Sequence, residues 1–235
     1  MTCRTRFTFR VTRALATVLL LGGFLGASAH AEDALSPEQA LDLYLKTFVN
    51  ADVKSAAALN AYLAPAYDGQ AVNVERVGKM DEYMLEAMTE QFMQNGPGQT
   101  YPELKTPASN YFKAMQAALR RSECHATEST LEDNESVEDS RIAQVRFVCK
   151  IPDVQVDGAK LELSETSAKA APQKLQEIKK YLPELTAQLN NAPPSKEIAH
   201  TFRLFETRID GKSYWSNGSP GELMGAVMDD FLDSA

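Results

Sequence analysis

The chain has 235 residues, with 24 Lys and Arg against 32 Asp and Glu, and 44% of it is hydrophobic. That size suits one compact domain or little more. The composition excludes a disordered, collagen-like or multi-span membrane protein.

The first 31 residues differ from the rest. Arg4, Arg6, Arg10 and Arg13 make a basic start, Ala14 to Gly26 is an apolar run, and Ala29-His30-Ala31 is a small-x-small cleavage pattern. Residues 1–31 therefore read as a secretory signal peptide, leaving 32–235 as a single α+β domain. The apolar run is short for a bilayer span, and no second such run follows. Cleavage would remove four arginines and no acids, moving the net charge from −8 to −12. Such a surface repels nucleic acid and anionic lipid, and it attracts a basic partner. Cleavage also removes Cys3. Cys124 and Cys149 then remain as an even pair in an oxidising compartment, which predicts one disulfide. The expected location is the periplasm, with secretion beyond it left open.

Helices come first. Ser36-Pro37-Glu38-Gln39 is a capping box with proline in the first turn. Leu41, Tyr44, Leu45, Phe48 and Val49 follow at helical spacing. Asp52 caps a second helix, with Ala56, Leu59 and Leu63 inward, that stops near Pro65. A third helix is predicted from Glu75 to Asn95, ended by Asn95-Gly96-Pro97. Its stripe is Val77, Met80, Met84, Met88 and Phe92. Thr106-Pro107 opens a fourth, with Phe112, Met115 and Leu119 inward.

The period then changes to two. Val145, Phe147, Cys149 and Ile151 alternate with polar neighbours and read as a strand. The segment from Cys124 to Leu131 reads as its partner, with a weaker pattern. Opposing Cys124 to Cys149 centres the hairpin between Ser136 and Val137, inside a polar tip. That tip carries Glu132, Asp133, Glu135, Glu138 and Asp139. Pro152 predicts a bulge or an edge. Asp157-Gly158 predicts a turn into a strand near Lys160–Glu165. Residues 172–191 return to helix, which Pro183 should kink or split. Ala192-Pro193-Pro194 reads as a linker. Ile198, His200, Phe202 and Leu204 share one face of a further strand. Asp210-Gly211 turns it into Ser213–Ser216. Ser219 to Glu222 is a second capping box, opening a last helix with Leu223, Val227, Met228 and Phe231 inward.

The helix of Pro37-Glu38-Gln39-Ala40-Leu41-Asp42-Leu43-Tyr44-Leu45-Lys46, followed by Asn50-Ala51-Asp52 and a second helix, resembles the nuclear-transport-factor-2-like, cystatin-like superfamily. The resemblance implies N-terminal helices packed on a curved antiparallel sheet, a cystatin-like roll. An extra helix between strands and a C-terminal helix are additions to that plan. The superfamily includes enzymes, ligand binders and partner-binding modules, and many members dimerise, so the fold alone assigns no function.

Catalytic and metal motifs are missing from the sequence. It has no H-E-x-x-H, C-x-x-C, G-x-S-x-G, P-loop or G-x-G-x-x-G pattern. No catalytic residue, metal ligand or cofactor is assigned. Three readings follow. The first is a periplasmic, non-enzymatic interaction protein of the inhibitor or immunity type. The acidic tip (Glu132, Asp133, Glu135, Glu138, Asp139) would meet a basic periplasmic or secreted protein. The second is a carrier of a small apolar ligand in a cone lined by Met84, Met88, His200, Phe202 and Leu204. The third is a superfamily enzyme with His200 as acid or base. Nothing in the sequence places a carboxylate beside His200. Asp229, Asp230 and Asp233 crowd the end of the last helix, where the dipole disfavours them, and read as a frayed terminus. Neither nucleic acid nor, after signal removal, a membrane is an expected partner.

Overall fold

The computed structural model describes residues 34–67, 70–154 and 171–233. The first helix, α1 (Pro37–Tyr44), begins as its capping box dictates. Ser36 Oγ accepts the Gln39 N–H at 3.2 Å, and Gln39 Oε1 accepts the Ser36 N–H at 2.9 Å. The helix buries Ala40, Leu41 and Tyr44, then widens into a π-helical turn, Leu45–Val49. The carbonyls that end such a helix need outside donors. Arg120 Nη1 supplies them to Phe48 O at 3.2 Å and Val49 O at 2.6 Å. Asn50 Nδ2 returns the link, donating to Arg120 O and Ser122 O. Asp52 then caps α2 (Val53–Leu63), accepting the Lys54 and Ser55 amides.

Between the two helices Ala51 holds φ +50°. A residue with a Cβ is strained there by about 1–2 kcal/mol. Ala51→Gly should therefore raise stability by about 0.5–1 kcal/mol, part of the gain being offset by glycine's freedom in the unfolded chain. A urea unfolding curve reads this directly. A lower midpoint would mean that the Ala51 methyl, which packs against the core, outweighs the backbone strain.

The helix predicted over Glu75–Asn95 is two helices, α3 (Val74–Gly78) and α4 (Met80–Asn95). Asn73 caps the first by accepting the Arg76 amide at 2.9 Å. Lys79, following the permissive Gly78, leaves helical geometry at φ −107° and ψ 8°. The Met80, Met84 and Met88 stripe is only half-buried. Thr89 and Phe92 are the buried positions of α4. After α5 (Pro97–Thr100), α6 (Lys105–Arg120) buries Met115 and Leu119 in the main core. Phe92 instead joins Leu104, Ala108, Ile178 and Leu182 in a second, smaller cluster.

The sheet has four antiparallel strands in sequential order. They are β1 (Glu123–Asp133), β2 (Arg141–Pro152), β3 (Pro194–Ile209) and β4 (Lys212–Ser216). With eight helices among the described residues, the class is α+β. Cys124 and Cys149 are directly opposed, Cα atoms 4.0 Å apart, and form the predicted disulfide. The register then shifts by one at Thr127, between Ala126 and Glu128, so the hairpin is centred on Val137. Asp42 of α1 accepts the Ala126 amide at 2.8 Å beside this bulge. It thereby docks the first helix on the edge strand.

Ala143, Val145, Phe147, Cys149 and Ile151 face the core from β2, and Ile198, Phe202 and Leu204 face it from β3. The expected irregularity at Pro152 is present, and there Pro152 pairs with Pro194. Pro194 therefore opens β3 and is not linker. Asp210 and Gly211, at φ +51° and +78°, make the two-residue β3–β4 turn. Positive φ at both positions is what such a turn requires.

Pro183 does not split its helix; α7 runs from Ala171 to Asn191. Pro183 and Lys179 both lie on the exposed side. The Lys179 carbonyl that loses its amide partner can therefore be hydrated. Before α8 (Pro220–Asp233), Asn217 Oδ1 accepts the Ser219 amide at 2.6 Å. Helix α8 then buries Leu223, Val227 and Phe231. The turn at Asp157-Gly158 and the strand near Lys160–Glu165 lie outside the described residues.

Candidate functional site

His200 sits on the core-facing side of β3. Its Nε2 is hydrogen-bonded to Asp230 Oδ2 of α8. Lys196 Nζ donates to the Asp230 backbone carbonyl at 3.0 Å. The imidazole lies 5.8 Å, centroid to centroid, from the Phe147 ring. Histidine and aspartate side chains are 32% and 35% exposed. Two expectations change here. A carboxylate does stand beside His200, and Asp230 is a docking residue rather than part of a frayed end. A His–carboxylate pair is the orienting half of an acid–base constellation. In this fold it also fastens α8 to β3.

The most strongly held charge is one the sequence reading did not single out. Glu206 continues the inward face of β3 beyond Leu204, and its side chain is fully buried. Arg141 grips it with two bonds, Nε to Oε2 at 2.8 Å and Nη2 to Oε1 at 2.9 Å. Arg208 Nε adds a third at 3.1 Å, and the Ser213 hydroxyl donates to Oε1. Arg141 also lies 5.6 Å from the centre of the buried Trp215 ring. The arginine bonds outweigh burial and hold the Glu206 carboxyl down at about 2. The cluster clamps β2, β3 and β4 together near the root of the hairpin tip.

A cleft of about 720 Å³ opens where β3 meets the start of α8. Phe147, Phe202, Leu223 and Ala226 give it apolar walls, and Gln144, Arg203, Ser219 and Glu222 are its polar groups. The cone expected from Met84, Met88, His200, Phe202 and Leu204 is not assembled as read. Phe202 borders this cleft, but Leu204 is wholly buried. Met88 borders a separate cavity of about 350 Å³ with Phe92 and Phe112. Met84 is half-buried on α4, and His200 turns to Asp230. The methionine spacing is helical, but the rotation of α4 is set by the second core cluster, which the spacing alone does not encode.

The hairpin tip keeps its acids in water. Glu132 accepts the Gln144 side-chain amide at 3.0 Å. Asp133 stands opposite Arg141 in the ladder. Glu135, Glu138 and Asp139 are exposed, and Asp139 takes φ +55°. Asn134 organises the bend, its Oδ1 accepting the Ser136 amide at 3.1 Å and its carbonyl the Val137 amide at 3.1 Å. Leu131 and Val137 are exposed at 47% and 54% among these acids. Among the described residues, no group of three or more His, Cys, Asp or Glu is placed to hold a metal ion.

No protein-family model matches the chain, and neither the curated proteins nor the solved structures gave a match.

Proposed function

We propose that this protein is an exported, non-enzymatic interaction module whose β1–β2 hairpin docks a basic protein partner. One observation carries the reading. The hairpin is stapled at its base by Cys124–Cys149 and presents exposed Glu135, Glu138 and Asp139 around exposed Leu131 and Val137. Apolar contacts ringed by charge suit a docking tip. The charged side chains nearer the core, Glu206 and Arg141, are committed to each other. Export rests on the pattern of residues 1–31, and a structural disulfide agrees with an oxidising compartment. Among the described residues no helix is long and apolar enough to cross a membrane.

Kinship with the cystatin-like superfamily belongs to the same proposal. It is supported by α1 and α2 in sequence before an antiparallel sheet, while α7 between β2 and β3 departs from the simplest plan. A second reading, an enzyme with His200 as acid or base, draws support from Asp230. It requires His200→Ala to abolish a measurable turnover.

The docking reading is tested with the quadruple charge reversal Glu132→Lys, Asp133→Lys, Glu135→Lys and Glu138→Lys. The protein should retain a basic partner from periplasmic extract at low salt and release it at high salt. The reversed protein should retain less than about a tenth as much, as expected when rim charges steer association. Equal retention by both proteins would sink the proposal.

A further inference from the structure

The strand β4 covers only part of β3. Its five residues pair with Phe205 to Ile209, and among the described residues no strand pairs with the rest of that β3 edge. Which backbone groups point there follows from the ladder. Cys124 and Cys149, with Cα atoms 4.0 Å apart, form a closely spaced, non-hydrogen-bonded pair. The Cys149 amide and carbonyl therefore face β3, and its partner Ile198 faces back toward β2. By alternation His200, Phe202 and Leu204 also bond to β2. Ala199, Thr201 and Arg203 turn their amides and carbonyls away from it. Asn217 confirms the direction, because its Nδ2 donates to the Arg203 carbonyl at 2.7 Å from the outer side. Among the described residues no partner meets the Arg203 amide or the amides and carbonyls of Thr201 and Ala199.

This flank is one wall of the 720 Å³ cleft, and Asn217 to Ala226 form the other. We propose that the groove takes an extended peptide of alternating apolar and acidic residues, added to β3 as an antiparallel strand in line with β4. The amides and carbonyls of Ala199 and Thr201, with the Arg203 amide, supply the ladder, the usual source of affinity in strand addition. Alternation supplies the selectivity. A peptide residue opposite Phe202 points to the core side, into the apolar space beside Phe147, Phe202 and Leu223. Residues opposite Thr201 and Arg203 point to the outer face. There Arg203 is exposed and has no carboxylate partner among the described residues. Glu222 lies on the far wall, which confines the acidic preference to the Arg203 side. The inference rests on the β3 edge and not on the hairpin tip, so either proposal can fail alone.

The probe is the capped heptapeptide Val-Glu-Val-Glu-Val-Glu-Val, with the Val/Lys heptapeptide beside it. The readout is amide hydrogen exchange of the isotope-labelled protein. In the free protein the Ala199, Thr201 and Arg203 amides should exchange at least tenfold faster than those of His200, Phe202 and Leu204. The Val/Glu peptide should slow the first set at least tenfold, and the Val/Lys peptide should do less. Thr201→Pro removes an outward N–H that β2 does not use, so it should abolish the protection and leave the thermal midpoint nearly unchanged. Should that variant not fold, Arg203→Glu at an exposed site carries the test, and it should reverse the preference to Val/Lys. Three results would overturn the proposal. One is slow exchange at 199, 201 and 203 in the free protein. Another is no effect of either peptide. The third is protection that rises with protein concentration alone, which would assign the edge to a second copy.

Discussion

Replacing Glu206 by glutamine should cost about 2–3 kcal/mol at neutral pH, less than for a fully buried ion pair because the Arg141 and Arg208 side chains stay 36% and 48% exposed. Glutamine keeps the shape but presents one neutral oxygen and an NH₂ to Arg141, Arg208 and Ser213, all of which donate to the carboxylate. Donor meets donor, and the Arg141 guanidinium loses its counter-charge beside Trp215. The same residue sets an acid limit. Its carboxyl titrates at about 2 in the fold, against an ordinary 4.5. The folded value is the lower one, so the contribution is complete above 4.5 and disappears as the pH falls toward 2. The linkage amounts to about 3 kcal/mol. Urea unfolding at pH 7 and at pH 3 should therefore show the wild type losing stability on acidification. Glu206→Gln should lose less over that interval, because it has no carboxyl to titrate at this position. Parallel losses in the two proteins would show that other carboxylates govern acid unfolding.

Much of the fold was legible because local rules acted without competition. The Ser36 box, the Asp52 cap and the Asn95-Gly96-Pro97 stop each concern three or four neighbouring residues, and each stands where its chemistry put it. The hairpin register followed from one constraint, the Cys124–Cys149 pair, and missed only the extra residue at Thr127. That bulge carries no glycine or proline to mark it. The split expected at Pro183 does not occur for the opposite reason. The residue is a strong breaker, yet its exposed position lets water satisfy the carbonyl it frees.

The candidate sites were less legible, since each joins residues far apart in sequence. Asp230 meets His200 across 30 residues, and locally it looked like one more acid in a run of acids. Glu206 was within reach. The alternation of Ile198, His200, Phe202 and Leu204 carries directly to position 206, and an acid on a buried face demands a cation. The register then brings Arg141 to it from β2. For Met84 and Met88 the sequence offers only their helical spacing. Spacing gives a face but not its neighbours, and Phe92 packing on Leu104 and Ile178 decides which way α4 turns.

Removing the disulfide should cost about 3 kcal/mol, and the loss should be local. The bond closes a loop with a sequence separation of 25. Chain entropy for a loop of that size is worth roughly 3–4 kcal/mol in the unfolded state. Cys124→Ala with Cys149→Ala is the suitable variant, since Cys149 is buried and a serine there would bury a hydroxyl. The edge strand β1 is paired on one side only, with β2. Most of its side chains are exposed, and α1 ties it through the Ala126 amide on Asp42 and the Ser129 hydroxyl on Glu38. Strand β2 is secured independently by its long ladder with β3 and by five core side chains. Hydrogen exchange should therefore accelerate across β1 more than across β2 and β3, with the urea midpoint falling in step. Equal acceleration in all three strands would mean that the hairpin and the core unfold as one unit. A loosened β1 also bears on docking. The tip acids would remain, but a mobile arm must be ordered on binding, so partner retention should weaken although no tip charge has changed.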